Sequence, residues 1–132
     1  MTSKPRGPMA QPGLTNIGMR ERRIRNALGY AMLVIAMAMA VLLLTSDAAR
    51  LWRLMVILPA FLGVRALYDA RLGVETIKAE LGQERMAGVF TTFGDPIADQ
   101  EKAAQIRRIS RTALVRSVLG ALVFTIVILV VP

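Results

Sequence analysis

The sequence predicts an all-α integral membrane protein with three transmembrane helices, two of them extended on the cytoplasmic side. Three long apolar runs occupy residues 27–46, 51–68 and 113–131. A helix of roughly 20 residues, rising about 1.5 Å per residue, crosses a hydrocarbon layer of roughly 30 Å. Charged residues make up 20% of the 132-residue chain, and most of them lie outside these runs. The apolar runs therefore need lipid around them, and we expect a single three-helix membrane domain over 19–132.

Residues 1–18 are predicted to form an extended tail. Prolines and glycines interrupt this stretch at Pro5, Gly7, Pro8, Pro12, Gly13 and Gly18. They oppose a continuous helix, and the stretch offers no apolar face to bury. Two roles remain open for the tail, a solvent-exposed leader or a strap across a partner subunit.

The first span follows an arginine-rich turn, at which Asn16 is expected to cap the helix. Its apolar run is longer than the roughly 7–15 residues of a removable signal, so we expect the span to be retained. Ala36 and Ala40 lie four residues apart, and small residues at this spacing allow another helix to approach closely. We therefore predict a packing face there; the alternative is an alanine-rich surface that faces lipid.

The second span is expected to be anchored at both membrane interfaces and bent near its middle. Trp52 and Tyr68 lie near its ends, about 24 Å apart at helical rise, and such amphipathic rings favour the headgroup layer. Pro59 removes one backbone donor, and Gly63 one turn later adds local freedom, so both predict a kink. A structural kink is favoured over a gating hinge, because proline and glycine are common in membrane helices.

Three arginines fall within the apolar runs: Arg53, Arg65 and Arg116. Each lies within a few residues of a span boundary, so we expect its charge to reach the headgroups. Asp69, four residues after Arg65, offers a partner for a surface ion pair. The alternative is that these charges line a cavity or pair with another subunit.

Residues 69–112 are predicted to form a cytoplasmic helical hairpin. An amphipathic pattern continues the second helix to about Ala87, and Phe90 and Phe93 then provide further interfacial anchors. Asp95–Pro96 predicts the start of the next helix, which runs on into the third span. The mixed charges of this region predict a solvated helix surface rather than an acid–base site.

The third span repeats small residues at intervals of four, at Ala113, Ser117 and Ala121. This spacing predicts a second helix-packing face. We expect both small-residue faces to serve contacts between transmembrane helices.

Basic residues predict the orientation. Six occur up to Arg25 and nine from Arg65 to Arg116, whereas the loop between the first two spans and its flank carry only Arg50 and Arg53. The positive-inside rule therefore places the N-terminus in the cytoplasm and the C-terminus outside. Anionic-lipid contacts are predicted for the arginines beside the spans, namely Arg22, Arg23, Arg25, Arg107, Arg108 and Arg111. The net charge of +8 is assigned to this membrane role rather than to nucleic-acid binding.

The composition excludes several kinds of chemistry. The chain has no cysteine and no histidine, so thiol nucleophiles, thiolate metal sites and histidine-ligated haem or pigment are excluded. We expect no enzyme, no catalytic or metal site and no directly ligated cofactor. Lipid, quinone or pigment could still contact Trp52, Phe61 or Phe124 through apolar surface.

The stretch Asn16–Gly29 resembles the entry segment of a family of small bacterial inner-membrane domains of unknown function, which occur alone or attached to membrane-bound rhodaneses. The shared pattern is an Asn-Ile-Gly start, an arginine-rich turn and a glycine one turn into a span. The family's second helix carries a cysteine that this chain lacks, and a third span and charged loop are additional here. The resemblance implies a bacterial inner-membrane protein and transfers no sulfur chemistry.

These observations predict a non-catalytic structural or accessory subunit of a larger bacterial membrane complex, for example one of the respiratory or photosynthetic type. Its partners would be membrane lipids and other transmembrane subunits. The alternative is a small homo-oligomeric transporter or channel, in which the span bent at Pro59 lines a path with Arg65 and Arg116 near its inner mouth.

Overall fold

The computed structural model describes residues 14–84 and 95–132, and these are mainly helical. Three helical segments are long and apolar enough to cross a membrane: Met19–Thr45, Arg50–Leu72 and Gln100–Val130. This confirms the predicted helical class and the number of candidate spans. The elements in chain order are α1 (Met19–Thr45), a 3-10 helix (Arg50–Val56), α2 (Ile57–Leu72), α3 (Thr76–Glu80), β1 (Gln83–Glu84), β2 (Asp95–Pro96) and α4 (Gln100–Val130).

Helix α2 packs against both α1 and α4. It approaches α1 closely at two glycines, Gly29 on α1 and Gly63 on α2. A Cβ on either glycine would lie 3.0 Å from the carbonyl oxygen of the other. It would also lie less than 3 Å from a leucine, Leu67 for Gly29 and Leu33 for Gly63. Gly63 therefore permits a helix contact, in addition to any backbone freedom predicted for it.

Small side chains fill the contacts between the three long helices. All five residues predicted for helix packing are buried: Ala36, Ala40, Ala113, Ser117 and Ala121. The central apolar core joins Ala36, Ala40, Val56, Ala60, Ala121 and Ile128. The Ser117 hydroxyl donates to the Ala113 carbonyl at 2.8 Å, so this buried polar atom is satisfied within α4.

The position of Pro59 differs from the expected bend inside one continuous helix. The chain is a 3-10 helix up to Val56, and Pro59 is the third residue of α2. Proline cannot donate to the carbonyl of Met55, and its ring crowds that oxygen. The change from 3-10 to α geometry just before Pro59 therefore accommodates the missing donor.

The second helix does not continue to Ala87 as predicted. It ends at Leu72, because Gly73 adopts the left-handed conformation with φ +67°. The Gly73 N–H donates to the Asp69 carbonyl at 2.9 Å. The short helix α3 and the strand β1 follow instead of an amphipathic extension. Among the described residues of the expected helical hairpin over 69–112, a turn, one short helix and a two-stranded ribbon precede α4, and only the second arm is a long helix.

Helix α4 begins four residues later than the predicted start. Asp95–Pro96 pairs antiparallel with β1, and the Asp99 carboxylate caps the helix by accepting from the Glu101 and Lys102 amides at 2.9 and 3.2 Å. The helix then runs without interruption for 31 residues to Val130. It therefore links the charged segment to the third apolar run, as expected.

Candidate functional site

A buried group of ionisable side chains, which we call the charge cluster, lies where α1 begins, α2 ends and α3 packs beside α4. We call this region the N-terminal end of the bundle. The charge cluster consists of Glu21, Arg25, Arg65, Asp69, Glu75 and Lys78. It contains three acidic and three basic groups, so its formal charges cancel. Each of these side chains is no more than 14% exposed.

Glu21 is the deepest carboxylate of the charge cluster. Its Oε1 accepts from Lys78 Nζ at 2.9 Å and from Arg25 Nη2 and Nε at 2.9 and 3.1 Å. Lys78 is only 1% exposed, although it comes from the segment predicted to be a solvated surface. Removing one partner of such a buried pair leaves an uncompensated charge, at a cost of about 3–5 kcal/mol.

Asp69 pairs with two arginines of the charge cluster, and one of them, Arg65, reaches α4. Its Oδ2 accepts from Arg25 Nη1 at 3.0 Å, and its Oδ1 lies 2.9 Å from Arg65 Nη2. Arg65 also contacts the hydroxyls of Thr76 and Ser110, the latter at 3.4 Å. The predicted Arg65–Asp69 pair is therefore present, but it is buried among helices rather than exposed at a headgroup surface.

The end of the predicted tail packs against the turn between α2 and α3. The Asn16 side chain exchanges two hydrogen bonds with the Glu75 backbone, donating to its carbonyl at 3.1 Å and accepting from its N–H at 2.8 Å. The backbone N–H of Asn16 also donates to the Gly73 carbonyl at 2.9 Å. Gly18, not Asn16, occupies the N-cap position of α1. Asn16 therefore binds the turn of its own chain, while residues 1–13 of the tail lie outside the described ranges.

Two arginines bind the carboxyl ends of helices. Arg22 donates to the carbonyls of Ala70 and Arg71 at 2.7 and 3.3 Å, at the end of α2. Arg53 donates from Nη1 to the carbonyls of Ile128 and Val131 at 3.2 and 2.6 Å, at the end of α4. Such carbonyls have no partner within their own helix and carry partial negative charge.

These contacts change the interpretation of three arginines. Arg22 and Arg25 were predicted to bind anionic lipid, but Arg22 binds α2 carbonyls and Arg25 belongs to the charge cluster. Arg53 was expected to reach the headgroups, but it is only 6% exposed and binds the end of α4. Arg23 is exposed, as a lipid contact requires.

The remaining three predicted lipid contacts share one face of α4. Arg107, Arg108 and Arg111 line a groove of about 470 Å³ together with Ala104 and Thr112; we call it the arginine groove. Arg111 donates from Nε and Nη2 to the two carboxylate oxygens of Glu80, at 2.9 and 3.0 Å.

That bidentate contact lowers the pKa of Glu80. Because Arg111 stabilises the charged carboxylate of Glu80, the Glu80–Arg111 pair is present at neutral pH. It is lost as the pH falls through the lowered pKa of Glu80.

The predicted interfacial aromatics have different environments. Trp52 is 60% exposed at the beginning of the second helical segment, whereas Tyr68 is half-buried near its end. Phe90 and Phe93 lie outside the described ranges. Trp52 and Tyr68 are thus placed near opposite ends of one helical segment.

An apolar groove lies between α2 and α4. It measures about 260 Å³ and is lined by Ile57, Leu58, Phe61, Val118 and Ala121. Phe61, one of the aromatics expected to touch an apolar molecule, lines it, whereas Phe124 packs against the central core. The groove presents carbon surface suited to an acyl chain or another hydrophobic group.

The charge cluster pairs acidic with basic side chains from different helices. Within residues 14–84 and 95–132, no three His, Cys, Asp or Glu side chains are grouped to hold a metal ion. The three carboxylates of the charge cluster each contact a basic side chain within 4.0 Å. The arrangement can join helices, and it leaves Oε2 of Glu21 as a buried oxygen without a hydrogen bond.

Sequence reasoning did not identify the charge cluster. The available signal was three opposite-charge pairs at helical spacing: Glu21–Arg25, Arg65–Asp69 and Glu75–Lys78. Each pair alone is also typical of a solvated helix surface. Only the folded chain shows that the three pairs meet.

A scan of protein-family models found no match to this chain, and searches of curated proteins and of solved structures found no similar protein. The resemblance at Asn16–Gly29 therefore stays a prediction. In the structure this segment supplies Asn16, Glu21 and Arg25 to the contacts at the N-terminal end of the bundle.

Proposed function

We propose that this chain is a non-catalytic structural or accessory subunit of a larger membrane protein complex in the bacterial inner membrane. The observation that carries the proposal is the charge cluster, which binds the start of α1, the end of α2 and α3 to one another and reaches α4. A buried network of this kind fixes how helices are arranged. It supports a rigid unit that presents helix faces to other subunits.

The outer faces of the helices are suited to such contacts. Large apolar side chains are exposed along α1 and α4, among them Val34, Leu42, Val123 and Val130. In a membrane these faces meet either lipid or neighbouring helices, and helix association there relies on close packing and interhelical hydrogen bonds. We therefore expect the partners to be transmembrane subunits, with lipid covering the remaining surface.

Native mass spectrometry after mild-detergent extraction tests this proposal. The chain should be found at fixed stoichiometry with larger, unrelated membrane subunits. Lys78→Ala should abolish this association by breaking the charge cluster, whereas Lys102→Ala, which removes only the partly exposed ion pair with Glu84, should retain it. A self-oligomer with no other subunit would contradict the proposal.

A homo-oligomeric transporter or channel is the second candidate. The observation favouring it is that ionisable groups are buried beside the predicted spans, as in many ion pathways. Arg65 is buried while Arg116 is exposed, so the two arginines do not line one path within a single chain. Ion or solute flux into liposomes containing only this protein would support the transporter, and an accessory subunit should give none.

A further inference from the structure

The arginine groove concentrates positive charge on one face of α4. Arg111 follows Arg107 by four residues and Arg108 by three, so its side chain neighbours both of theirs on the helix surface. Ala104 and Thr112 complete the groove with small side chains. The Thr112 hydroxyl donates to the Arg108 carbonyl at 3.0 Å, so the guanidinium groups are the main donors facing the groove.

The arginine groove retains net positive charge. Arg111 is bound by Glu80, and among the described residues neither Arg107 nor Arg108 forms an ion pair with a carboxylate. Three positive charges and one negative charge leave a formal +2. An arginine held by a single exposed carboxylate can exchange it for another anion, because exposed ion pairs contribute little to stability.

Most other basic groups at the same end of the bundle with described contacts are engaged elsewhere, whereas Arg20 and Arg23 are exposed at the start of α1. Arg22 binds backbone carbonyls, and Arg25, Arg65 and Lys78 belong to the charge cluster. Lys102 is paired with Glu84 at 2.6 Å. The arginine groove differs from these engaged groups because three guanidinium groups line one accessible groove on α4.

The arginine groove lies just outside the apolar part of α4, and this position sets its depth relative to lipid headgroups. Arg111 precedes the apolar run at 113–131 by two residues, and Arg107 precedes it by six. At 1.5 Å per residue these offsets are about 3 and 9 Å along the helix axis. The headgroup layer occupies roughly 5–8 Å on each side of the hydrocarbon. If α4 crosses the membrane, Arg111 lies within the headgroup layer and Arg107 lies at its outer edge.

We propose that the arginine groove binds the phosphate headgroup of an acidic phospholipid. Guanidinium groups bind phosphate oxygens through paired hydrogen bonds, and neighbouring arginines can engage one phosphate together. Glu80 competes with the phosphate for Arg111 and so weakens binding. This inference rests on the proposed membrane placement but not on the identity of any partner subunit.

Lipid titration of the purified full chain tests the proposal. Native mass spectrometry in detergent, with phosphatidylglycerol or phosphatidylcholine added, should show preferential retention of phosphatidylglycerol. The double variant Arg107→Gln/Arg108→Gln should reduce that retention about tenfold or more, since it removes charge-assisted hydrogen bonds. Glu80→Gln should increase it about two- to fivefold, because Arg111 is released.

The matched control is Arg20→Gln/Arg23→Gln, which removes the same charge from exposed positions at the start of α1. It should change phosphatidylglycerol retention less than twofold. An equal loss in both double variants would mean diffuse attraction and would overturn the proposal. So would equal retention of the two lipids by the unmodified chain.

A competition arm separates a membrane lipid from a free phosphate ligand. Soluble glycerol phosphate at millimolar concentration should leave phosphatidylglycerol bound, because the acyl chains add affinity that the soluble headgroup lacks. Full displacement would assign the groove to a soluble phosphate and overturn the lipid source. Lipid retention by the isolated chain is read separately from co-migration with other subunits, so either proposal can fail alone.

Discussion

The burial of Lys78 and its ion pairs are set by the fold rather than by the residues next to it in the sequence. Its ammonium group lies 2.9 Å from Glu21 Oε1 and 3.9 Å from Glu75 Oε2, and the residue is 1% exposed. A buried ion pair is not by itself a net gain in stability, because both charges lose hydration. Its loss is nevertheless costly, since the partner stays buried.

We expect Lys78→Ala to lower the free energy of unfolding by about 3–5 kcal/mol. The reason is that Glu21 would remain buried without its lysine. Denaturant unfolding in detergent micelles, followed by circular dichroism, measures the change. Lys102→Ala, which removes a pair that is about 28% exposed on each side, should cost no more than about 1 kcal/mol. Equal losses in the two variants would contradict the burial argument.

At the scale of elements, the contact between α1 and α2 depends on the absence of side chains at Gly29 and Gly63. The carbonyl oxygen of each glycine lies only 3.0 Å from the position that a Cβ on the other would occupy. Backbone atoms cannot move aside as the end of a flexible side chain can. The two helices must therefore separate if either glycine gains a methyl group.

Gly63→Ala should destabilise the protein by about 1–3 kcal/mol through this overpacking. A Cβ at Gly63 would also lie 2.8 Å from Leu33 Cγ. Gly120→Ala is the control, because its Cβ would lie 3.9 Å from Val64 Cγ1, an ordinary contact. It should be neutral or slightly stabilising, as removing a helical glycine favours the helix. Thermal unfolding of both variants in the same detergent measures the two changes in stability. A neutral Gly63→Ala would mean that the helices are not this close.

Arg53 performs an element-scale role by binding the last turn of α4. We expect Arg53→Ala to expose the carbonyls of Ile128 and Val131 and to speed hydrogen exchange near the end of α4 by about tenfold. Arg50→Ala, on the same 3-10 helix but exposed, should leave those exchange rates unchanged. Mass spectrometry of exchanged peptides from the C-terminal region provides the measurement. Similar exchange in both variants would show that Arg53 does not hold this helix end.

At the scale of the whole molecule, sequence predicts those features that depend on residues close together in the chain. The three long helices follow from runs of apolar residues, and small residues such as Ala40 and Ser117 occur at the spacing expected of packing faces. The end of α2 was not predicted, because Leu72, Val74 and Ile77 continue an amphipathic pattern across Gly73. Pattern alone does not reveal that Gly73 has a positive φ.

The charge cluster could not be derived from local pattern either. Lys78 and Glu21 are separated by 57 positions, and their contact exists only because α3 folds back on the start of α1. The same residues on an isolated helix would be solvated. Sequence reasoning therefore assigned Lys78 to a surface, whereas tertiary packing buries it.

Topology is a prediction for the whole molecule in its membrane. The excess of basic residues before the first span and between the second and third predicts a cytoplasmic N-terminus and an exterior C-terminus. A reporter fused after Pro132 should give an exterior signal, and one inserted within 87–95 should give a cytoplasmic signal. Reversed signals from the two fusions would show that the positive-inside rule does not describe this chain.

The bonds between Asn16 and Glu75 have a consequence for the order in which the fold is completed. These residues are separated by 59 positions, so Asn16 leaves the ribosome long before its partner. At roughly 5–20 residues per second the delay is about 3–12 seconds. Throughout that interval the start of α1 has no turn to bind, even though α1 itself can already form. Asn16 is thus synthesised before its contact partners but is among the last of these residues to be held in its folded position.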